Sequence, residues 1–367
     1  MLENNMIGAN QSLMSLEVPT GIEKLNNFAE GFQKFTVLEA ALTLGIFAFL
    51  AKHGPCNREK IAEGCSIQGM FLRPFLSCLI DMELLHLDNE QYCNGEIAEN
   101  FLLVDSPLYQ GEWLRNIKQS SHWSDLAAAM QRTEPKKSAT GAGDGPSASF
   151  IDALGQRALR GELQAVVQKI AAWQGFSSAA KMLDIGGGHG LYAIALCQKN
   201  SGLHATVFDK NNVLKVTARN IEHFRMQDRF ALMEGDVCTG NYGNGYDIVL
   251  ISHLLYKFRK NLEPIFEKVR ECLNPGGLLV TNHWFCASGC IPEKNSVTEL
   301  AKALQSFGHP LCHEDEFSRL LAANGMDPLA MQIVPTPFGP SRLIMAVKKD
   351  GRELVKDQPQ SCSCCSC

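Results

Sequence analysis

The sequence predicts an α/β chain in two folded parts, a mostly helical domain followed by an open, largely parallel sheet with crossover helices. Three observations carry this expectation. The short apolar run Lys181-Met182-Leu183-Asp184-Ile185 enters Gly186-Gly187-Gly188-His189-Gly190, and a helical pattern follows from Leu191 to Cys197. A second apolar run, Ala205 to Phe208, ends in Asp209. Ahead of both, from Phe28 to Cys93, the pattern reads helix, helix, helix and a two-stranded wing. Strands that alternate with helical stretches read as crossover units of a parallel sheet.

In order along the chain, residues 1 to about 20 are polar and poorly patterned. Phe28 to Leu50 is apolar at helical spacing and stops at Gly54-Pro55. Arg58 to Glu63 reads as a short helix ended by Gly64, and Gly69 to Leu85 as a third. Leu85-His86-Leu87 and Gln91-Tyr92-Cys93 flank the turn Asp88-Asn89-Glu90, a wing. A winged-helix order invites a DNA-binding reading. The third helix offers Arg73 but is too apolar to lie in a groove, and phosphate contacts need a basic face. Residues 133 to 149 are a loop by composition, and Phe150 to Gln174 is helical. After the glycine turn come strands at Phe230 to Met233, Tyr246 to Ile251 and Leu278 to Thr281. A helix from Asp315 to Asn324 and a hairpin, Ile333 to Pro337 with Ser341 to Val347, close the pattern.

Bulk properties narrow the class. The 367 residues have 45% hydrophobic content and a net charge of −5, which argues against a general nucleic-acid or anionic-membrane surface. The most apolar run, Phe35 to Leu50, is interrupted by Thr36, Glu39 and Thr43, which favours a buried helix over a membrane span. The N-terminus lacks a basic-plus-apolar signal pattern, so a cytoplasmic protein with reduced thiols is expected. Ten of the 14 cysteines are scattered through apolar segments. Cys362, Cys364, Cys365 and Cys367 crowd the end of the chain, and a soft metal or metalloid ion is one candidate ligand for them. A dispensable or redox-labile end is another reading, and lipidation is disfavoured because no C-a-a-X box is present. His283, Cys286 and Cys290, with Cys312 and His313 further on, do not meet structural zinc spacings, so no metal ligand is assigned.

The glycine turn alone is a weak signal, because dinucleotide enzymes use one too. Asp209 lies where an acid accepts both hydroxyls of a ribose. With Gly235-Asp236-Val237 and Asn274-Pro275-Gly276-Gly277, the D-x-G-G-G-x-G turn resembles the S-adenosylmethionine-dependent class I methyltransferases, which have a Rossmann-like fold. Val37-Leu38-Glu39-Ala40-Ala41-Leu42, Arg73-Pro74-Phe75-Leu76, Met82-Glu83-Leu84-Leu85 and Asp105-Ser106-Pro107-Leu108-Tyr109-Gln110-Gly111 resemble the winged-helix-like dimerisation domain of plant and bacterial O-methyltransferases, the hydroxyindole and caffeic acid enzymes among them. The resemblance spans about residues 25 to 348. It implies a dimerisation domain over 1–118, a methyltransferase domain over 119–350 and a cysteine-rich tail over 351–367, in a homodimer that binds a small-molecule acceptor and no DNA.

The resemblance also implies site roles. Gly186 and Gly188 would pass under the methionine and ribose portions of S-adenosylmethionine, and Asp209 would hold the ribose hydroxyls. Asp236 and Val237 would flank the adenine. Ser252 and His253 would sit near the methionine end, and Asp184 would orient the turn or reach the amino group through water. The family places a histidine base in a segment x-x-x-L-H-D-W. Here that segment is Ser252-His253-Leu254-Leu255-Tyr256-Lys257-Phe258, with Tyr256 at the histidine position. A tyrosine, ordinarily ionising near pH 10, is no base at neutral pH but can position an acceptor. His283, after the fifth strand, is the candidate replacement base, facing the pocket across from Tyr256. Two rival readings follow from this departure. One is transfer to carbon, sulfur or a metalloid delivered by the tail; the other is a non-catalytic regulatory protein that binds S-adenosylmethionine.

Overall fold

A glycine decides how the first part of the chain is cut. The apolar run that reads as one helix from Phe28 to Leu50 is two helices, Ile22–Leu44 and Ile46–His53, because Gly45 at φ 73° is left-handed and its N–H caps the first helix on Ala41 and Leu42. The computed structural model describes Met14 and residues 20–119, 121–132, 145–259, 261–286, 296–306, 311–336 and 339–349. The chain divides into two compact units between Gly111 and Glu112.

In the first unit, helices Arg58–Gly64 and Gly69–Asp81 follow. The side chain of Asn57 caps the former by accepting from Lys60 N–H at 3.0 Å. Strands β1 (Leu85–Asp88) and β2 (Gln91–Asn94) form the antiparallel wing. Ile46, Phe47, Leu50, Ile61, Leu72, Leu76, Leu79 and Leu85 make the core. On the long helix Ile22–Leu44, Phe28 and Phe32 are 77% and 73% exposed, and Leu25 lies one turn before them, also exposed.

In the second unit the strands are β3 (Lys181–Ile185), β4 (His204–Asp209), β5 (Phe230–Glu234), β6 (Tyr246–Ser252) and β7 (Leu273–His283), then a small parallel pair β8 (Phe285–Cys286) and β9 (Leu311–His313), and β10 (Met326–Val334) and β11 (Ser341–Lys348). The main sheet runs in the order β10-β11-β7-β6-β3-β4-β5. The five central and far strands are parallel, and β11 runs antiparallel to both β7 and β10. The order reverses between β3 and β6, so the carboxyl ends of these two strands open the crevice in which such sheets bind ligands.

Both faces of the sheet are covered. Helices Glu162–Ala171 and Leu191–Lys199 bury Val166, Ile170, Ala193 and Leu196 on one side; helices Glu263–Cys272 and Glu314–Ala323 bury Ile265, Phe266, Val269 and Phe317 on the other. The helical stretch expected over Phe150 to Gln174 is two helices, Ala148–Ala158 and Glu162–Ala171, separated at Gly161. The expected closing hairpin is present, with a longer first strand. β10 begins at Met326 and tolerates Pro328 because the register shifts there and the strand is at the edge of the sheet. The expected tail over 351–367 and most of the loop over 133–149 lie outside the described residues.

Candidate active site

The turn after β3 is held from three sides. Gly186 (φ 66°) and Gly188 (φ 56°) are left-handed, a conformation that other residues adopt only at a cost. A Cβ on Gly187 would come within 2.7 Å of Asp184 and Val207. Gly186 N–H donates to Phe208 O at 2.7 Å, tying the turn to β4. From helix Asn211–His223, Thr217 Oγ1 donates to Gly188 O at 2.7 Å and Asn220 Nδ2 to His189 O at 2.8 Å. Thr217 and Asn220 carry no motif and cannot be found from sequence.

Asp209, at the end of β4, accepts from Gly188 N–H at 3.0 Å and Lys210 N–H at 2.8 Å. A carboxylate has about four lone-pair positions, so two remain for hydroxyls. Burial raises its pKa, and the two backbone donors work against that. Asp184 is 2% exposed and its Oδ2 is buried without a partner. Burial first, then the neighbouring Asp209, push it up to about 7. Asp236 accepts from Cys238 N–H at 2.8 Å and is paired at 3.0 Å with Lys210 Nζ. Val237 is buried, and its carbonyl accepts from Tyr242 Oη and Lys268 Nζ, both at 2.7 Å. This cradle fits S-adenosylmethionine. It offers an open acid for a ribose, an unsatisfied buried carboxyl for a cationic group, and a backbone free of side chains between them.

Beyond the cradle, at the carboxyl ends of β6 and β7, a second group converges. Glu162, in the first turn of its helix, is 2% exposed and accepts from His253 Nε2 at 2.5 Å and Asn282 Nδ2 at 2.7 Å. Burial would raise its pKa, but the His253 charge and hydrogen bond, Arg157 and the Asn282 amide outweigh that and bring it to about 2. A carboxylate only accepts, so His253 Nε2 carries a proton, and in the neutral ring Nδ1 is the acceptor. Tyr256 Oη lies 2.7 Å from that Nδ1 and accepts from Trp284 N–H at 2.7 Å. With its oxygen receiving the Trp284 proton, Tyr256 has its own hydrogen to give to His253. Burial holds the Tyr256 phenol well above its ordinary range, and the Trp284 N–H counters this in part. His253 sits at φ 51°, an uncommon backbone conformation for a non-glycine residue, fixed by its N–H donating to Asn282 O at 2.9 Å. Ser252 Oγ accepts from Asn282 Nδ2 at 3.3 Å.

His283 is placed differently from the sequence expectation. It is wholly buried, and its Nε2 accepts from Leu254 N–H at 3.3 Å and Leu255 N–H at 3.2 Å, so the lone pair a base would use is spent on the backbone. Burial, then the His253 charge, drive its pKa well below the ordinary value. Its role in this geometry is to pin the turn that carries Tyr256. His253, expected near the methionine end of the cofactor, is bonded to Glu162 and Tyr256. Glu162, Asn282 and Trp284 were missed by sequence reasoning, since Glu162 lies 91 residues before His253 with no local signature. Arg157, itself buried, lies over the Trp284 ring at 5.3 Å. Among the described residues no group of three His, Cys, Asp or Glu side chains could hold a metal, and Cys290 and the four tail cysteines fall outside them.

Comparison with known proteins agrees with this fold. Residues 156–330 match the family described as "Methyltransferase domain", and residues 26–103 match "O-methyltransferase dimerisation domain". An uncharacterised protein of Methanocaldococcus jannaschii is 29% identical over 280 residues, 73% of this chain and 71% of that one. Acetylserotonin O-methyltransferase of Macaca mulatta is 25% identical over 277 residues, 70% of this chain and 78% of that one. Human N-acetylserotonin methyltransferase, solved in complex with S-adenosylmethionine, superposes with a TM-score of 0.74 at 20% identity, over 94% of this chain and all of that one.

Proposed function

Since the chain belongs to the S-adenosylmethionine-dependent small-molecule O-methyltransferases, we propose that it methylates a hydroxyl of a small acceptor held beside Tyr256 and Trp284, with Asp209 on the cofactor ribose. The observation that carries this reading is the adjacency of the two groups. The cradle of Gly186, Gly188 and Asp209 ends β3 and β4, and the polar group of Glu162, His253 and Tyr256 gathers at the ends of the neighbouring β6 and β7.

In this reading Gly186 and Gly188 let the backbone approach the cofactor, Asp236 and Val237 flank the adenine, and Asp184 faces a cationic group. Ser252 and His253 border the methionine end. The bound cofactor supplies an electrophilic methyl group on a sulfonium. The protein's own work is to hold the acceptor oxygen in line with that methyl and to exclude water. Tyr256, protonated and buried, positions the acceptor and is no base by itself. Transfer to carbon or sulfur, delivery of a metalloid by the tail, and regulation without turnover are less favoured, because the acceptor side carries a connected set of proton donors and acceptors.

The exposed Leu25, Phe28 and Phe32 on the helix Ile22–Leu44 support a homodimer through the first unit. Cytoplasmic residence is part of the same reading and rests on the free thiols, Cys56, Cys65, Cys197 and Cys272 among them. Among the described residues no single helix is long and apolar enough to cross a membrane. Incubation with S-adenosylmethionine and a panel of phenols, read as S-adenosylhomocysteine formed, tests the assignment. Turnover of at least one phenol is expected, and tight cofactor binding with no turnover of any would sink it.

A further inference from the structure

We propose that Tyr256, His253 and Glu162 form a proton relay that deprotonates the acceptor hydroxyl, with Tyr256 as the shuttle, His253 as the terminal base and Glu162 as the residue that positions and charges it. This rests on the hydroxyl-methylation reading above. With the His253 ring neutral, the Glu162 carboxylate sets the direction of each bond in the chain. Glu162 Oε1 takes the Nε2 proton of His253 at 2.5 Å, which leaves Nδ1 as an acceptor 2.7 Å from Tyr256 Oη. The backbone N–H of Trp284, 2.7 Å from the same oxygen, is aimed at the point where negative charge develops if the phenol parts with its proton. Asn282 Nδ2 donates to the same Oε1 at 2.7 Å, so two donors converge on that oxygen. The uncommon backbone of His253, at φ 51°, is the strain this alignment carries.

The relay resolves the difficulty of a tyrosine at the place of a base. Tyr256 never has to ionise as a free phenol. As the acceptor oxygen forms its bond to the methyl carbon, the carbon–sulfur bond breaks and its electron pair stays on sulfur. The acceptor proton passes to Tyr256 Oη, and the proton Tyr256 held passes to His253 Nδ1. The positive charge that began on the sulfonium ends on the imidazolium, beside the ionised Glu162. The products are a methyl ether, a neutral thioether and a protonated His253, so atoms and charge balance. The carboxylate behind the ring fixes the tautomer and stabilises the imidazolium, as an orienting acid does behind other catalytic histidines.

The test uses the full chain with S-adenosylmethionine and two phenols of different acidity, phenol itself and para-nitrophenol, over pH 5 to 9. Wild-type kcat should rise with pH through one group. Glu162→Gln should move that midpoint to lower pH by about one unit or more, because the imidazolium loses its counter-charge. Tyr256→Phe should lower the rate on phenol by roughly ten- to a hundredfold, with a much smaller loss on para-nitrophenol at the alkaline end of the range, where that acceptor arrives ionised. Affinity for S-adenosylhomocysteine by calorimetry should stay within about twofold in Tyr256→Phe. Equal losses on both phenols, or superimposable pH profiles for wild type and Glu162→Gln, would overturn the relay and leave hydroxyl methylation standing. No turnover of either phenol by wild type, with S-adenosylhomocysteine bound, would overturn both. Should Glu162→Gln fail to fold, nitrogen spectra of ring-labelled histidines in wild type carry the same decision. His253 in the Nε2–H form with an acceptor Nδ1 is required, and the opposite tautomer would refute the relay.

Discussion

Asp184 and Glu162 are both buried acids, and their surroundings send them in opposite directions. Asp184 has an unpartnered oxygen and Asp209 close by, and is raised to about 7. In the unfolded chain it ionises near 3.8, so the folded state favours the protonated form. The resulting stabilisation is complete below about pH 4 and is lost as pH rises through about 7. Asp184→Asn should flatten that slope, on the order of 4 kcal/mol for a shift of about three units, and thermal unfolding of the cofactor-free protein across pH 4 to 8 would show it. Glu162 is lowered to about 2, so its contribution is present above about pH 4.5 and is lost as pH falls toward 2. Asp209 faces a different measurement. Asp209→Ala removes the proposed ribose acceptor and the partner of Gly188 N–H, and S-adenosylhomocysteine affinity in calorimetry should fall by roughly 1–3 kcal/mol. Unchanged affinity would remove Asp209 from the ribose.

At the level of elements, turns are where sequence and structure part. The strands β3, β4, β6 and β7 were legible as apolar runs marked by glycine or acid, with Gly186 after β3, Asp209 ending β4, Gly245 before β6 and Gly277 before the apolar part of β7, and the crossover helices follow from their alternation. The break in the long first helix was not, since Gly45 sits inside a continuing helical spacing and only its left-handed backbone, with two carbonyls to cap, divides it. Gly45→Ala should cost about 1–2 kcal/mol, all of it backbone strain, because a Cβ there meets nothing within 4 Å. A chemical-denaturation midpoint would register that loss, and a neutral result would mean the helices continue across the break. In the site, the proposed cofactor cradle was legible because the glycine turn and Asp209 lie on consecutive strands. Glu162, Asn282 and Trp284 were not, because what joins them to His253 and Tyr256 is contact between strand ends and a distant helix, which no local pattern encodes.

For the molecule as a whole, the exposed stripe of Leu25, Phe28 and Phe32 predicts an association that survives dilution. An obligate dimer of this kind buries more than about 2,000 Å². Light scattering at micromolar concentration should give twice the mass of the 40.4 kDa chain, and Phe28→Glu with Phe32→Glu should shift it toward one copy. A wild-type monomer would refute the stripe as an interface. The Glu162 carboxylate has a consequence of another kind, in the order of synthesis. Its two hydrogen-bond partners lie 91 and 120 residues downstream, so a ribosome delivers the acid long before either of them. Until β7 has emerged, docking the helix Glu162–Ala171 would bury the acid without either hydrogen-bond partner. Final seating of that helix is therefore expected to follow completion of the sheet, and amide exchange during refolding would show its protection arising with that of β7.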